Sequence, residues 1–117
     1  MKLYGIPNCN TVKKVRVWLD DKGIAYTFHD FRKDGVSATL LKGWLAQVPR
    51  EKLINRAGMT WRELSPEAKT AIQDDASALT LMLQKPAVIK RPVLEKDGKI
   101  LAIGFNKFDY ENLFEPK

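Results

Sequence analysis

The order of elements at the N-terminal end constrains the fold most. Lys2 to Ile6 has the make-up of a short strand and runs into Pro7-Asn8, two residues that stop strands. A helical repeat takes over from about Asn10. Val12, Val15 and Leu19 return at helix spacing with Trp18 beside them, and Asn10 or Asn8 can cap the helix. Gly23, after Lys22, predicts the helix stop. The segment Ala25 to His29 is β-prone and predicts a second strand. Two strands joined by a helix of this length pair in parallel through a right-handed crossover.

The middle of the chain has a different rhythm. From Ser37 to Gln84 the pattern predicts helix throughout. Leu40, Leu41, Trp44, Leu45 and Val48 make an amphipathic stripe, and Ser65-Pro66 reads as a cap with proline at the first helical position. Strands return at the end. Val93–Lys96 and Lys99–Ala102 flank Asp97-Gly98, the two-residue hairpin signal. A last helix is expected from Asn106, with Asn106 and Asp109 resembling a capping box and Phe105 and Tyr110 a hydrophobic staple. Tyr110, Leu113 and Phe114 would form its buried face.

This order, βαβ, then helices, then ββα, predicts an α/β thioredoxin-like fold with a four-stranded mixed sheet and an all-helical insertion. The expected organisation is a single domain over 1–117, with the insertion at about 35–90. No apolar run reaches the ~20 residues that span a bilayer, and the first residues carry no apolar signal core, so no membrane association and a cytoplasmic location are expected.

The cysteine count narrows the chemistry. The lone Cys9 excludes an internal disulfide, a Cys-x-x-Cys couple and a zinc site built from several thiolates, so no metal is expected. The net charge of +6 suits anionic partners, but the lysines are dispersed, which also fits a solvated basic surface without direct nucleic-acid binding.

Cys9 follows the first strand at the first turn of the first helix. Free N–H groups and the helix dipole favour an anion there, and a thiolate is one. Lys13, four residues on, can add positive charge, and Asn8, Asn10 and Thr11 can cap or donate around the sulfur. The other reading is a buried cysteine acting as a small hydrophobe. Pro-Asn-Cys-Asn, a polar turn, speaks against it.

Pro92, directly before the Val93 strand, stands where a thioredoxin fold places a cis-proline facing the active cysteine. Arg91 would then point toward the site with a guanidinium suited to oxyanions or carboxylates. The other reading is a trans proline with Arg91 in solvent. His29 reads as structural or exposed, Trp61 as an anchor of the helical region, and Trp18 and Trp44 as core.

Three segments carry a family resemblance: Leu-Tyr-Gly-Ile-Pro-Asn-Cys-Asn-Thr-Val-Lys-Lys (3–14), Leu-Ile-Asn-Arg-Ala-Gly-Met-Thr-Trp-Arg-Glu-Leu (53–64) and Pro-Ala-Val-Ile-Lys-Arg-Pro-Val-Leu (86–94). On these the chain resembles the glutaredoxin-linked arsenate reductase (ArsC-like) family, in its small YffB branch, which is related to the Spx transcriptional regulators. The resemblance runs from Leu3 to Phe114. It implies a nucleophilic Cys9 and anion- or glutathione-binding arginines at Arg56 and Arg91. The third arginine of the arsenate reductases has no match in Ile100-Leu101-Ala102-Ile103-Gly104, so efficient arsenate reduction is not expected. The resemblance also implies glutathione as co-substrate, glutaredoxin as a redox partner, and RNA polymerase as the partner in an Spx-like alternative. The second cysteine of the Spx switch is Val12 here, so an internal disulfide switch is impossible.

Overall fold

A computed structural model describes residues 1–114 of the chain. The backbone divides into two compact units, Met1–Gly35 with the segment from Arg91 onward, and Val36–Lys90.

The first unit is built on a four-stranded sheet. β1 (Lys2–Gly5) leads into α1 (Asn10–Asp21), β2 (Thr27–Asp30) and a short α2 (Phe31–Asp34). The chain re-enters at β3 (Val93–Lys96) and β4 (Lys99–Ile103) and ends in α8 (Lys107–Phe114). The sheet order is β2-β1-β3-β4, with β1 parallel to β2 and antiparallel to β3, and β3 antiparallel to β4. This is the expected thioredoxin-like arrangement. The second strand begins at Thr27, later than predicted, and α2 was not foreseen.

Leu3 and Leu94 are paired in register on one sheet face and fully buried. Val15 and Leu19 of α1 and Tyr110 of α8 complete this core, with Trp18, Phe28, Phe105 and Phe114 packed around it. Trp18 and Tyr110 meet edge to face at 5.5 Å between ring centroids. The staple at the last helix forms, with Phe105 and Tyr110 at 5.2 Å, and the Asp109 N–H donates to Asn106 Oδ1. Leu113 departs from expectation. It is 41% exposed, because an eight-residue helix anchored through Tyr110 and Phe114 turns it outward.

The helix stop lies where the sequence put it. The Ile24 N–H donates to the Leu19 carbonyl and the Gly23 N–H to Asp20, a Schellman ending. In the hairpin, Asp97 and Gly98 both have positive φ (52° and 79°), as a type I′ turn requires.

The second unit is not helical throughout. It breaks into α3 (Ala38–Leu45), α4 (Arg50–Leu53), α5 (Met59–Arg62), α6 (Pro66–Thr70), α7 (Asp75–Gln84) and a 3₁₀ turn (Pro86–Val88). The reason is local. Pro49, Gly58, Ser65 and Asp74 each occupy an N-cap and restart the chain. Ser65 accepts from the Ala68 N–H with Pro66 in the first turn, as predicted, and Asp74 forms a capping box with Ser77. Leu41 and Trp44 of α3, Leu53, Ile54, Ala78 and Met82 of this unit are buried. Arg50 links α4 to the start of α7, donating to the Gln73 carbonyl at 2.7 Å and meeting Asp75 at 3.5 Å.

Candidate functional site: a cysteine beside an arginine

The approach to Cys9 is set by Gly5. A Cβ at Gly5 would lie 2.8 Å from Val12 Cγ2, so only glycine lets α1 close onto the end of β1. The turn Pro7-Asn8 then delivers Cys9 as the N-cap of α1, in extended conformation. This corrects the expectation that Asn10 or Asn8 caps the helix. Asn10 is the first helical residue and Asn8 an exposed turn residue. The sulfur does not close the tight cap hydrogen bond that an Asn or Ser oxygen would make. The N–H groups of Val12 and Thr11 instead favour the charged form of the sulfur. No acidic residue lies in the first turn of α1 to compete for them.

Partial burial pushes the Cys9 thiol pKa up, but that effect is outweighed. The Val12 N–H, the Arg91 guanidinium and the Thr11 N–H together bring it below the ordinary thiol value. Arg91 acts both by hydrogen bonding to the sulfur and by its charge. The Arg91-Pro92 peptide is cis, Pro92 is buried, and its carbonyl accepts from the Gly104 N–H at 2.8 Å. The structure therefore brings Cys9, Thr11 and Arg91 together. Lys13 is exposed, and its backbone N–H closes the first helical turn on the Cys9 carbonyl at 2.9 Å.

Arg56 belongs to the helical unit, where it is exposed on the loop between α4 and α5. Its guanidinium lies over the Trp61 ring at 5.3 Å from the centroid. The loop is held tightly. The Asn55 N–H donates to Val88 at 2.8 Å, the Lys90 N–H to Leu53 at 2.7 Å, and Ile54 bridges Ile89. A Cβ on Gly58 would meet the Asn55 amide at 2.8 Å. The segment carrying Arg56 is thus hydrogen-bonded to the residues that precede Arg91 in the chain.

Sequence reasoning missed three features. One is the pair of N–H donors at Thr11 and Val12, which follows only from the true cap position. Another is Trp61 beneath Arg56, for which their close spacing in the chain was the available signal. The last is a buried pair on the sheet, where Tyr4 donates to Glu95 at 3.2 Å. Burial first, then the Glu95 charge and hydrogen bond, push the Tyr4 phenol up to about 12. His29 packs on Tyr4 at 4.8 Å between centroids, and its Nε2 lies 2.8 Å from the Gly35 carbonyl, a structural role. Among the described residues no group of His, Cys, Asp and Glu is arranged to hold a metal, and no helix is long and apolar enough to cross a membrane.

A thioredoxin-like sheet, with a lone cysteine capping the first helix beside the arginine of a cis Arg-Pro bond, defines a single-cysteine thiol protein. The chain belongs to the ArsC family, whose profile matches residues 4–113, and within it to the YffB branch. It is similar to the solved YffB protein, with 43% identity, 95% of this chain and 96% of that one covered, and a TM-score of 0.88. It is similar also to an arsenate reductase (ArsC) related protein from Brucella melitensis, at 50% identity over 98% and 94% of the two chains, with a TM-score of 0.78. An uncharacterised protein of Haemophilus influenzae is 40% identical over 96% of both chains. The global transcriptional regulator Spx of Enterococcus faecalis is 26% identical, over 92% of this chain and 80% of its own length.

Proposed function

We propose that this chain is a glutathione-dependent thiol reductase with an arsenate-reductase-like site. The feature that carries the reading is Cys9 at the N-terminus of α1, where the Val12 N–H, the Arg91 guanidinium and the Thr11 N–H bring its thiol pKa below the ordinary value. In the proposed step the Cys9 thiolate attacks a sulfur of a glutathione mixed disulfide. The S–S bond breaks, the other thiol leaves and takes up a proton, and Cys9 becomes bound to glutathione. A second glutathione thiolate then attacks that disulfide, releasing glutathione disulfide and the Cys9 thiolate. With one cysteine in the chain, the resolving thiol comes from outside, either glutathione or glutaredoxin.

Arg91 and Arg56 are the proposed anion-binding residues, for glutathione carboxylates or an oxyanion. Asn8, Asn10, Thr11, Lys13 and Pro92 are proposed to shape the surroundings of the sulfur. Arsenate turnover is expected to be poor, since the third arginine of the arsenate reductases is missing from the segment 100–104. The reading assigns the chain to the reducing cytoplasm, where glutathione is abundant. Its test is turnover of a glutathione mixed disulfide by the wild-type chain and by Cys9→Ser. Full activity in the variant overturns it.

The Spx relatives support a second reading, docking on RNA polymerase. A pull-down from cell extract that retains no polymerase subunit removes it.

A further inference from the structure

We propose that the groove between α1 and the loop entering α8 docks an acidic peptide segment with an apolar anchor, supplied by the thiol protein that Cys9 reduces. The proposal rests on the reductase reading above and adds the partner's recognition surface.

The groove, about 430 Å³, is lined by Lys13, Lys14, Val17, Trp18, Asp21, Phe105 and Lys107. Its floor is apolar. Val17 is 58% exposed, and Trp18 and Phe105 beside it are only half-buried. A contiguous apolar strip of this kind differs from scattered exposed aliphatics and marks a contact surface. Its rim is cationic. Lys13, Lys14 and Lys107 surround it, and the Lys22 ammonium lies 5.6 Å above the Trp18 ring. The nearby carboxylates are Asp21 and Glu111, the latter 3.7 Å from Lys107. Lysine stems cover apolar surface while their heads stay in water, so such a rim suits carboxylates flanking an apolar side chain.

The groove also lies along the helix that Cys9 begins. Cys9 is the N-cap of α1, and Lys13 and Val17, four residues apart on the helix, follow it toward the C-terminal end. At 1.5 Å per residue Val17 lies ~12 Å along the helix from Cys9. An extended peptide covers that distance in about four residues. A partner whose disulfide sulfur meets Cys9 therefore lays an apolar residue about four positions away on Val17, Trp18 and Phe105, with acidic neighbours against the lysines.

The test is a titration of the ¹⁵N-labelled full chain with a peptide of about eight residues that has a serine at the cysteine position, a phenylalanine four residues on and glutamates around it. A peptide with lysines for the glutamates is the control. The expected result is amide shifts at Lys14, Val17, Trp18, Phe105 and Lys107, absent with the lysine peptide and suppressed by salt. Val17→Glu and Lys14→Glu, both at exposed positions, should weaken binding about tenfold. Equal shifts with both peptides, shifts elsewhere only, or shifts driven by protein concentration alone (a second copy covering the groove) overturn the proposal. Turnover of the small glutathione–mercaptoethanol disulfide separates the two readings. Unchanged turnover in Val17→Glu alongside lost peptide binding supports docking. A chain that binds the peptide at the groove but reduces no disulfide removes the reductase reading and leaves the docking surface standing.

Discussion

The sheet unit and the helical unit hold their arginines by different means. Arg91 follows a hydrogen-bonded bridge, enters β3 through the cis bond to Pro92, and acts directly on the Cys9 sulfur. Arg56 is exposed on a loop whose backbone is pinned, with its guanidinium over the face of Trp61. The sheet unit gains its order from long-range strand pairing around Leu3 and Leu94. The helical unit is a series of short helices, each started by its own cap, around Trp44, Leu41 and Met82. Arg91 is placed by the segment that leads into β3. Arg56 is placed by a surface loop.

The strongest test of this division is removal of the nucleophile. Cys9→Ser should lower disulfide turnover at least ~10³-fold, the scale on which a lost nucleophile acts, while leaving the circular dichroism unchanged. Residual activity in the range of the wild type would mean that the sheet unit does not carry the chemistry.

The two cores come next. Leu94→Ala, at a fully buried position in the sheet, should cost about 2–5 kcal/mol, and Trp44→Ala, 1% exposed in the helical unit, about 3–5 kcal/mol. Urea unfolding measures both. A cost under about 1 kcal/mol for Trp44→Ala would show that the short helices lack a core of their own.

The arginines should separate in the pH profile of Cys9 alkylation. In the folded wild type the Val12 and Thr11 N–H groups and Arg91 lower the Cys9 pKa, so the midpoint should lie below the ordinary thiol value of ~8.5. Arg91→Ala removes a hydrogen bond and a positive charge from the thiolate, so the midpoint should move to higher pH and the rate at neutral pH should fall. Arg56→Ala should leave the midpoint in place and weaken binding of glutathione or an oxyanion. Equal shifts in both variants would erase the contrast between the two arginines.

The smallest effects concern local punctuation. Gly98→Ala forces a side chain into φ +79° in the hairpin, and Ser65→Ala removes the cap of α6. Each should cost about 1 kcal/mol by the same unfolding measurement. A markedly larger loss at Gly98 would show that the hairpin turn governs the stability of the sheet unit.

The sequence by itself determined the features that depend on neighbouring residues. The Asp97-Gly98 turn, the Ser65-Pro66 helix start, the stop at Gly23 and the Phe105–Tyr110 staple all follow from backbone and side-chain preferences within a few residues. The order of strands and helices follows from the same local periodicity, and with it the thioredoxin-like topology. The motif around Pro92 also made Cys9 and Arg91 legible as a pair.

Periodicity misled where several caps fell inside one apolar pattern. Pro49, Gly58 and Asp74 divided a region that reads as continuous helix. Only the tertiary structure decided which residue caps α1, at the turn where Val12 packs close over Gly5. It alone showed the Arg91 guanidinium acting on the sulfur, Glu95 accepting from Tyr4, and Trp61 lying under Arg56. The physical reason is common to these features. A perturbed thiol, a buried phenol–carboxylate pair and a stacked guanidinium each need side-chain positions that strand pairing and packing fix and that local propensity leaves open.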